Sequence, residues 1–205
     1  MPSPKFDSLN VSFSKVIGDV VISASTNGMI LSNAERDGYI NRALDELFRK
    51  SWEGVQGDSK QFIEIFPELY KSQTITTTAD GTYTLAANNT FDFFKAVDGI
   101  LDTSLIKFLK KSLYAIVKTN SNQMYLASPT NLLAFEIQGT ISFFPASSFN
   151  AKTVILNYIR RPVDPSTGSG FTNGGTNDHP FNAIWHSEIL KIALQLFLID
   201  TQEMR

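Results

Sequence analysis

The chain is predicted to adopt an α+β fold: a helical core made by the N- and C-terminal helices, with an antiparallel β-sheet or sandwich region inserted between them. Three observations predict it. Residues 32–52, SNAERDGYINRALDELFRKSW, join a helix start signal to apolar residues at helical spacing. Residues 181–199, FNAIWHSEILKIALQLFLI, are apolar on most sides of a helix. Between them, the chain turns to short threonine-rich and β-branched runs punctuated by Gly, Pro and Asp-Gly.

Residues 1–15 hold two early prolines and several serines and read as an extended arm. Val16 to Ser23 is apolar and β-branched; it suits a strand or a short amphipathic helix ahead of the capped one. Asn27-Gly28 marks a turn. Ser32 and Glu35 then form a capping box, each able to satisfy a free N–H of the first turn. Ile40, Ala43, Leu44, Leu47 and Phe48 define the apolar face, which Tyr39 and Trp52 extend. Glu35, Arg36, Asn41, Arg42, Asp45, Glu46, Arg49 and Lys50 form the expected wet face, acids leading and bases trailing as the helix dipole prefers. Gly54 is the expected stop. Gly38 costs about 1 kcal/mol against Ala in a helix, so close packing or a frayed first turn is expected there.

Lys60 to Lys71 reads as a short helix ending near Phe66, because Pro67 removes a hydrogen bond and clashes with the preceding turn. Thr74 to Leu85 alternates around Asp80-Gly81, the signal of a hairpin with a type I′ turn. Ala87 to Thr90 is a loop, and Phe91 to Leu101 a strand region. Ser104 to Asn120 returns to helical spacing through Leu105, Phe108, Leu109, Leu113, Ile116 and Val117. After a turn at Pro129-Thr130, Ala134–Ile137, Thr140–Phe144 and Thr153–Ile159 read as three strands. Residues 163–177 form a Gly/Ser/Asn-rich loop, and Pro180 suits the first position of the last helix. Ser187, Lys191 and Gln195 leave that helix only a narrow polar stripe. The expected organisation is one domain over 1–205: residues 1–72 plus 178–205 as helical core, 73–162 as β-rich insertion with one short helix, and 163–177 as a flexible loop. The helix at 32–52 and the helix at 181–199 are expected to pack on each other.

Composition narrows function. The hydrophobic content of 42% and aromatic content of 12% describe a globular chain, and sixteen Phe point to aromatic-rich packing. A formal charge of −2 argues against sequence-specific DNA reading, which draws on a basic field. The absence of cysteine excludes disulfides, thiolate chemistry and Cys-based metal sites. The first residues lack the apolar core of a signal peptide, and the run Ile189 to Ile199 is interrupted by Lys191 and Gln195. A soluble chain made in a reducing compartment is expected.

Candidate chemistry is sparse. Glu64 and Glu68 are four apart but separated by Pro67, which spoils a shared face. His179 and His186, with Asp178 and Glu188 near, match no zinc spacing. No serine sits in a nucleophile elbow, and the glycines of 162–180 match neither a phosphate-binding loop nor a dinucleotide fingerprint. Lys107, Lys110, Lys111 and Lys118 can touch phosphate, though a solvated face is the commoner use. The expectation is therefore no enzyme, with no catalytic, cofactor-binding or metal residue and no cofactor.

One resemblance rests on the order of motifs. A capped helix reading ERDGYINRALDEL is followed by the Thr-rich Asp-Gly segment, FFKAVDGIL, SLYAIVKTN and YLASPTNLLAFEIQGTISFFPA. A strand ending NYIRRP, a Gly/Ser loop and HPFNAIWHSEILKIALQLFLID complete the set. This resembles the head-to-tail connector (adaptor, or ring) proteins of short-tailed bacteriophages, the crAss-like group among them, across most of residues 32–200. The resemblance implies a structural virion protein: an oligomeric ring, commonly dodecameric, between portal and tail, through which the genome passes. Its implied partners are copies of itself, the portal protein, tail or further ring proteins, and double-stranded DNA passing non-specifically through the lumen, with no membrane. Its implied location is the virion, at the phage neck or tail, after synthesis in the host cytoplasm. The alternative reading is a carbohydrate- or protein-binding β module with helical flanks, in which Tyr83, Tyr125 and Phe171 make the contacts.

Overall fold

The computed structural model describes residues 6–23, 31–85, 93–119, 126–162 and 179–203. It has the α+β fold with terminal helices that the sequence predicts. The chain divides into two compact units, one from residues 1–69 and 161–205, the other from Tyr70–Arg160.

The first unit is helical. It contains α1 (Phe6–Ser23), α2 (Asn33–Gly54), α3 (Ser59–Ile65) and α5 (His186–Glu203), with 3-10 turns at Pro67–Leu69 and Ala183–Trp185. Helix α1 corrects one expectation, since residues 6–15 are no extended arm, and of the two readings of Val16 to Ser23 it bears out the helix and not the strand. Its Ser, Asn and Val residues have poor helix propensity. Phe6, Leu9, Phe13 and Ile17 nevertheless share one face and are all buried, so tertiary burial supplies what propensity does not. Helix α2 begins as its sequence says. Ser32 accepts from the Glu35 N–H, and the Glu35 carboxylate accepts from the Ser32 N–H at 2.7 Å.

The apolar face of α2 packs on α5 and α1. Ile40, Ala43, Leu44, Leu47 and Phe48 are buried, as are Ile189, Ile192, Ala193 and Phe197 of α5. Tyr39 sits where the three helices meet, its ring 6.1 Å from Phe13 and 5.7 Å from Phe197. An aromatic chain continues the core. Phe62 meets Phe48, Trp52 and Phe66 at 5.2–5.3 Å, and Phe66 meets Phe181 at 5.4 Å and Trp185 at 4.6 Å. Part of the high Phe content is used here.

Three details depart from expectation. Asn41, assigned to the wet face, is buried. Gly38 has neither close packing nor fraying, because a Cβ there would meet nothing within 4 Å and the helix runs through it. Pro180 precedes the last helix without starting it: Asn182 caps the 3-10 turn by accepting from the Ile184 N–H, and α5 follows from His186.

The second unit is one seven-stranded mixed sheet: β1 (Tyr70–Thr76), β2 (Thr82–Thr84), β3 (Phe93–Leu101), β4 (Ser104–Phe108), β5 (Leu132–Ile137), β6 (Thr140–Phe144) and β7 (Thr153–Arg160). Their order is β1-β7-β3-β4-β5-β6-β2. Every pairing is antiparallel except β4 with β5, which is parallel. The connection between those two carries α4 (Tyr114–Lys118).

The expected hairpin around Asp80-Gly81 is not formed, because β1 and β2 lie at opposite ends of the strand order. Only residues 77–81 join them. A flat sheet of this width would set its outer strands about 29 Å apart, at ~4.8 Å per strand step. Six residue steps reach only about 21 Å even fully extended. The sheet must therefore curl until its two ends meet. Thr77 donates its N–H to the Lys152 carbonyl at 2.9 Å, Ala151 donates to the Thr78 carbonyl at 3.2 Å, and Phe143 donates to the Gly81 carbonyl at 2.9 Å. Every strand points at least one side chain into the common core, among them Ile75, Tyr83, Ala96, Ile106, Ala134, Ile141, Phe143 and Leu156.

The helix expected over 104–120 is a second correction. Ser104–Phe108 pairs with β3 across a turn in which Asp102 has φ 54°, and helical structure is confined to residues 111–118. Leu105, Phe108 and Leu109 have helical spacing but face different sides of a strand and its exit. Alternating burial decides there: Leu105 is exposed, Ile106 buried and Lys107 exposed. Helix α4 covers the outer face of β5 and β6, its Val117 packed with Leu133 and Phe135. The expected loops at 87–90 and 163–177 and the turn at Asn27-Gly28 lie outside the described residues.

Candidate interaction surface

The outer face of the sheet carries a row of aliphatic side chains, exposed at both ends and half-buried at its centre. Ile155 of β7 is directly opposite Ile100 of β3, and Ile100 is directly opposite Leu105 of β4. Side chains on paired positions share a face, so the three stand side by side across three strands. Leu105 is 56% exposed and Ile155 42% exposed. Thr74 of β1 extends the row on the far side of Ile155.

A β-bulge sets this row. Ala96 pairs with Tyr158, but Asp98 pairs with Asn157, so β3 holds one residue more than β7 there. Strict alternation would put Ala96, Asp98 and Ile100 on one face. The extra residue turns Ala96 into the core and sends Asp98 and Ile100 outward. Gly99 then points inward, where an added Cβ would lie 3.2 Å from Ile106 Cδ1 and from the Ile155 carbonyl.

The next row on the same face is polar. It runs Ser72, Asn157, Asp98 and Lys107 by strand register. The Ser72 hydroxyl donates to Asn157 Oδ1 at 2.5 Å, and Asn157 Nδ2 donates to Asp98 Oδ1 at 2.5 Å. Burial, with the Asp98 charge adding to it, raises the Tyr70 hydroxyl above its ordinary pKa. An aliphatic row bordered by a hydrogen-bonded polar row has the anatomy of a protein-contact patch.

Lys107, Lys110, Lys111 and Lys118 are all exposed. Lys107 flanks the aliphatic row, and Lys111 and Lys118 stand seven apart on the outer side of the helical segment that ends in α4. Lys118 also lies over the Tyr114 ring, 5.7 Å from its centroid. Residues 103–135 contain no Asp or Glu. Residues 70–160 carry eight Lys and Arg against five Asp and Glu, whereas the rest of the chain carries ten against fifteen. The β unit is thus basic and the helical unit acidic.

The sequence candidates for chemistry are placed apart. Glu64 is exposed, while Glu68 accepts the Asn182 N–H at 2.8 Å and so anchors the entry to the last helix. His179 is buried beside Phe181, at 6.4 Å between rings. His186 opens α5, and partial burial lowers its pKa. Asp178 lies outside the described residues. Among the described residues no three His, Asp or Glu are grouped to hold a metal ion, and no helix is long and apolar enough to cross a membrane. Tyr83, expected as an exposed contact residue in the carbohydrate- or protein-binding alternative, is 6% exposed and belongs to the core of the curled sheet. Its two companions, Tyr125 and Phe171, lie outside the described residues. The aliphatic row was not legible as a surface, because only the bulge reveals which face Ile100 takes. No known protein family matches the sequence, and no curated protein matches it.

Proposed function

We propose that the chain is a structural virion subunit that assembles into an oligomeric ring in the head-to-tail connector of a short-tailed phage, between portal and tail, and lets the genome pass. The observation that carries this reading is the aliphatic row Ile155, Ile100 and Leu105 on the sheet's outer face, in which Ile155 and Leu105 are exposed and Ile100 between them is half-buried. Solvent leaves such a row costly, and packing against another protein removes that cost. The ordered motifs from the capped α2 to α5 support the same reading. Electron microscopy of virions, with the chain located by a bound antibody fragment, tests it. A discrete ring at the neck is the expected result; absence of the chain from the virion, together with failure to bind portal, overturns it.

A further inference from the structure

Resting on that reading, we infer that the surface formed by the aliphatic row and the neighbouring lysines receives the acidic helical unit of a second copy of this chain. The surface has an apolar centre in Ile155, Ile100 and Leu105 and a basic border in Lys107, and the segment leaving β4 adds exposed Lys110 and Lys111. Asp98 is the one acid in the bordering polar row described above, and Asn157 already donates to it. What fits is a surface that is acidic and carries exposed aliphatics. The helical unit of this same chain has both. Its charge balance is ten basic against fifteen acidic residues. Asp45, Glu53, Asp58 and Glu64 are exposed on and between α2 and α3, Ile184 is exposed on the 3-10 turn before the last helix, and Leu198 and Ile199 are exposed on that helix.

The symmetry consequence is specific. A contact between two different patches, one basic and one acidic, is heterologous, so each copy uses one patch on each neighbour. Such contacts close into rings or run into filaments and do not stop at a two-fold dimer. Duplex nucleic acid is the competing anionic occupant of the lysines. The aliphatic row beside them argues for protein, because phosphate offers nothing for Leu105 or Ile155 to bury against.

Charge reversal tests this with the full chain. One variant carries Lys107→Glu, Lys110→Glu and Lys111→Glu; the other carries Asp45→Lys, Glu53→Lys and Glu64→Lys. All six positions are exposed, so folding is preserved and is checked by circular dichroism. Native mass spectrometry and sedimentation follow assembly. The wild type is expected to assemble, with self-affinity falling at least ~tenfold between low salt and about 0.5 M salt. Each variant alone is expected to stay dissociated, and an equimolar mixture to reassemble with the two kinds alternating. Assembly of either variant alone like the wild type, or a mixture that stays dissociated, overturns the inference and leaves the ring reading standing. Lysine reversal that abolishes duplex DNA binding while assembly is unchanged also overturns it. A wild type that remains monomeric overturns both.

Discussion

Arg42 of α2 donates to the Asp200 carboxylate of α5 across 2.7 Å, joining two helices that are 158 residues apart in sequence. Tyr39, one turn before Arg42, is the third member: its ring lies 5.7 Å from the Arg42 guanidinium, and its hydroxyl is under the influence of the Asp200 carboxylate. The hydrogen bond from Arg42 holds the Asp200 carboxyl below the usual carboxylate range. Burial, followed by the Asp200 charge, raises the Tyr39 hydroxyl. The pair is half in solvent, so Asp200→Asn is expected to cost at most about 1 kcal/mol, and a double-mutant cycle with Arg42→Met should return a coupling of that size or less. The sign in pH follows from the depressed carboxyl. The contribution is present above the unfolded value of 3.8 and is lost as pH falls through the lower folded value. Urea titrations of wild type and Asp200→Asn should therefore converge on acidification.

Asn10 is expected to matter more than any ion pair on the surface. It is buried on α1, donates through Nδ2 to Asp37 at 2.5 Å and accepts from Arg36 Nε at 3.0 Å. Arg36 in turn donates to the Leu31 carbonyl at 2.7 Å and to Asn33. The network ties α1 to the first turns of α2. Asn10→Ala deprives buried polar partners and should cost about 1–3 kcal/mol by urea denaturation. Asn10→Asp keeps the shape but sets a second carboxylate against Asp37. Its loss should exceed that of Asn10→Ala at neutral pH and shrink on acidification.

Gly38→Ala should stabilise the chain. The position lies inside α2, it is exposed, and an added Cβ would meet nothing within 4 Å. Glycine there only adds freedom to the unfolded chain, so the substitution is expected to gain about 0.4–1 kcal/mol, read as a raised thermal midpoint. An unchanged or lowered midpoint would mean that the glycine serves a contact made on assembly.

What was legible in the sequence follows how local its causes are. The capping box of Ser32 and Glu35 lies within four residues, so α2 could be read to its first turn. The Gln138-Gly139 turn, with φ of 50° and 77°, is equally local, and β5 and β6 were found on either side of it. The first part of α1 gave no such signal, because its stability comes from burying Phe6, Leu9 and Phe13 against distant residues. The Asp80-Gly81 segment was misread for a related reason: a turn signal says that the chain reverses, not which strands pair. The strands flanking it pair with β7 and β6, choices made by contacts with partners far along the chain, such as Thr84 with Thr140 and Tyr70 with Ile159. The candidate surface depended on the bulge at Ala96/Asp98, which no local pattern announces.

Gly81 is where the ends of the curled sheet are held, and its replacement should separate two effects. Its φ is +69°, and an added Cβ would lie 3.2 Å from Ala146 Cα and 3.3 Å from Phe149 Cβ. Gly139 has a similar φ of +77°, but an added Cβ there meets nothing within 4 Å. Gly139→Ala therefore measures the left-handed backbone alone, a cost of about 1–2 kcal/mol. Gly81→Ala adds a collision with backbone, which cannot rotate away, and should cost at least ~1 kcal/mol more. The loss should also be local. Gly81 accepts from the Phe143 N–H of β6 and donates to the Thr78 carbonyl, so it ties the start of β2 both to β6 and to the segment that leaves β1. Hydrogen exchange should accelerate at Phe143 and Thr77 in Gly81→Ala while the amides of β3 and β7 keep their protection. Equal losses in the two variants would show that the Ala146 and Phe149 contacts yield without cost, and that the ends of the sheet are held elsewhere.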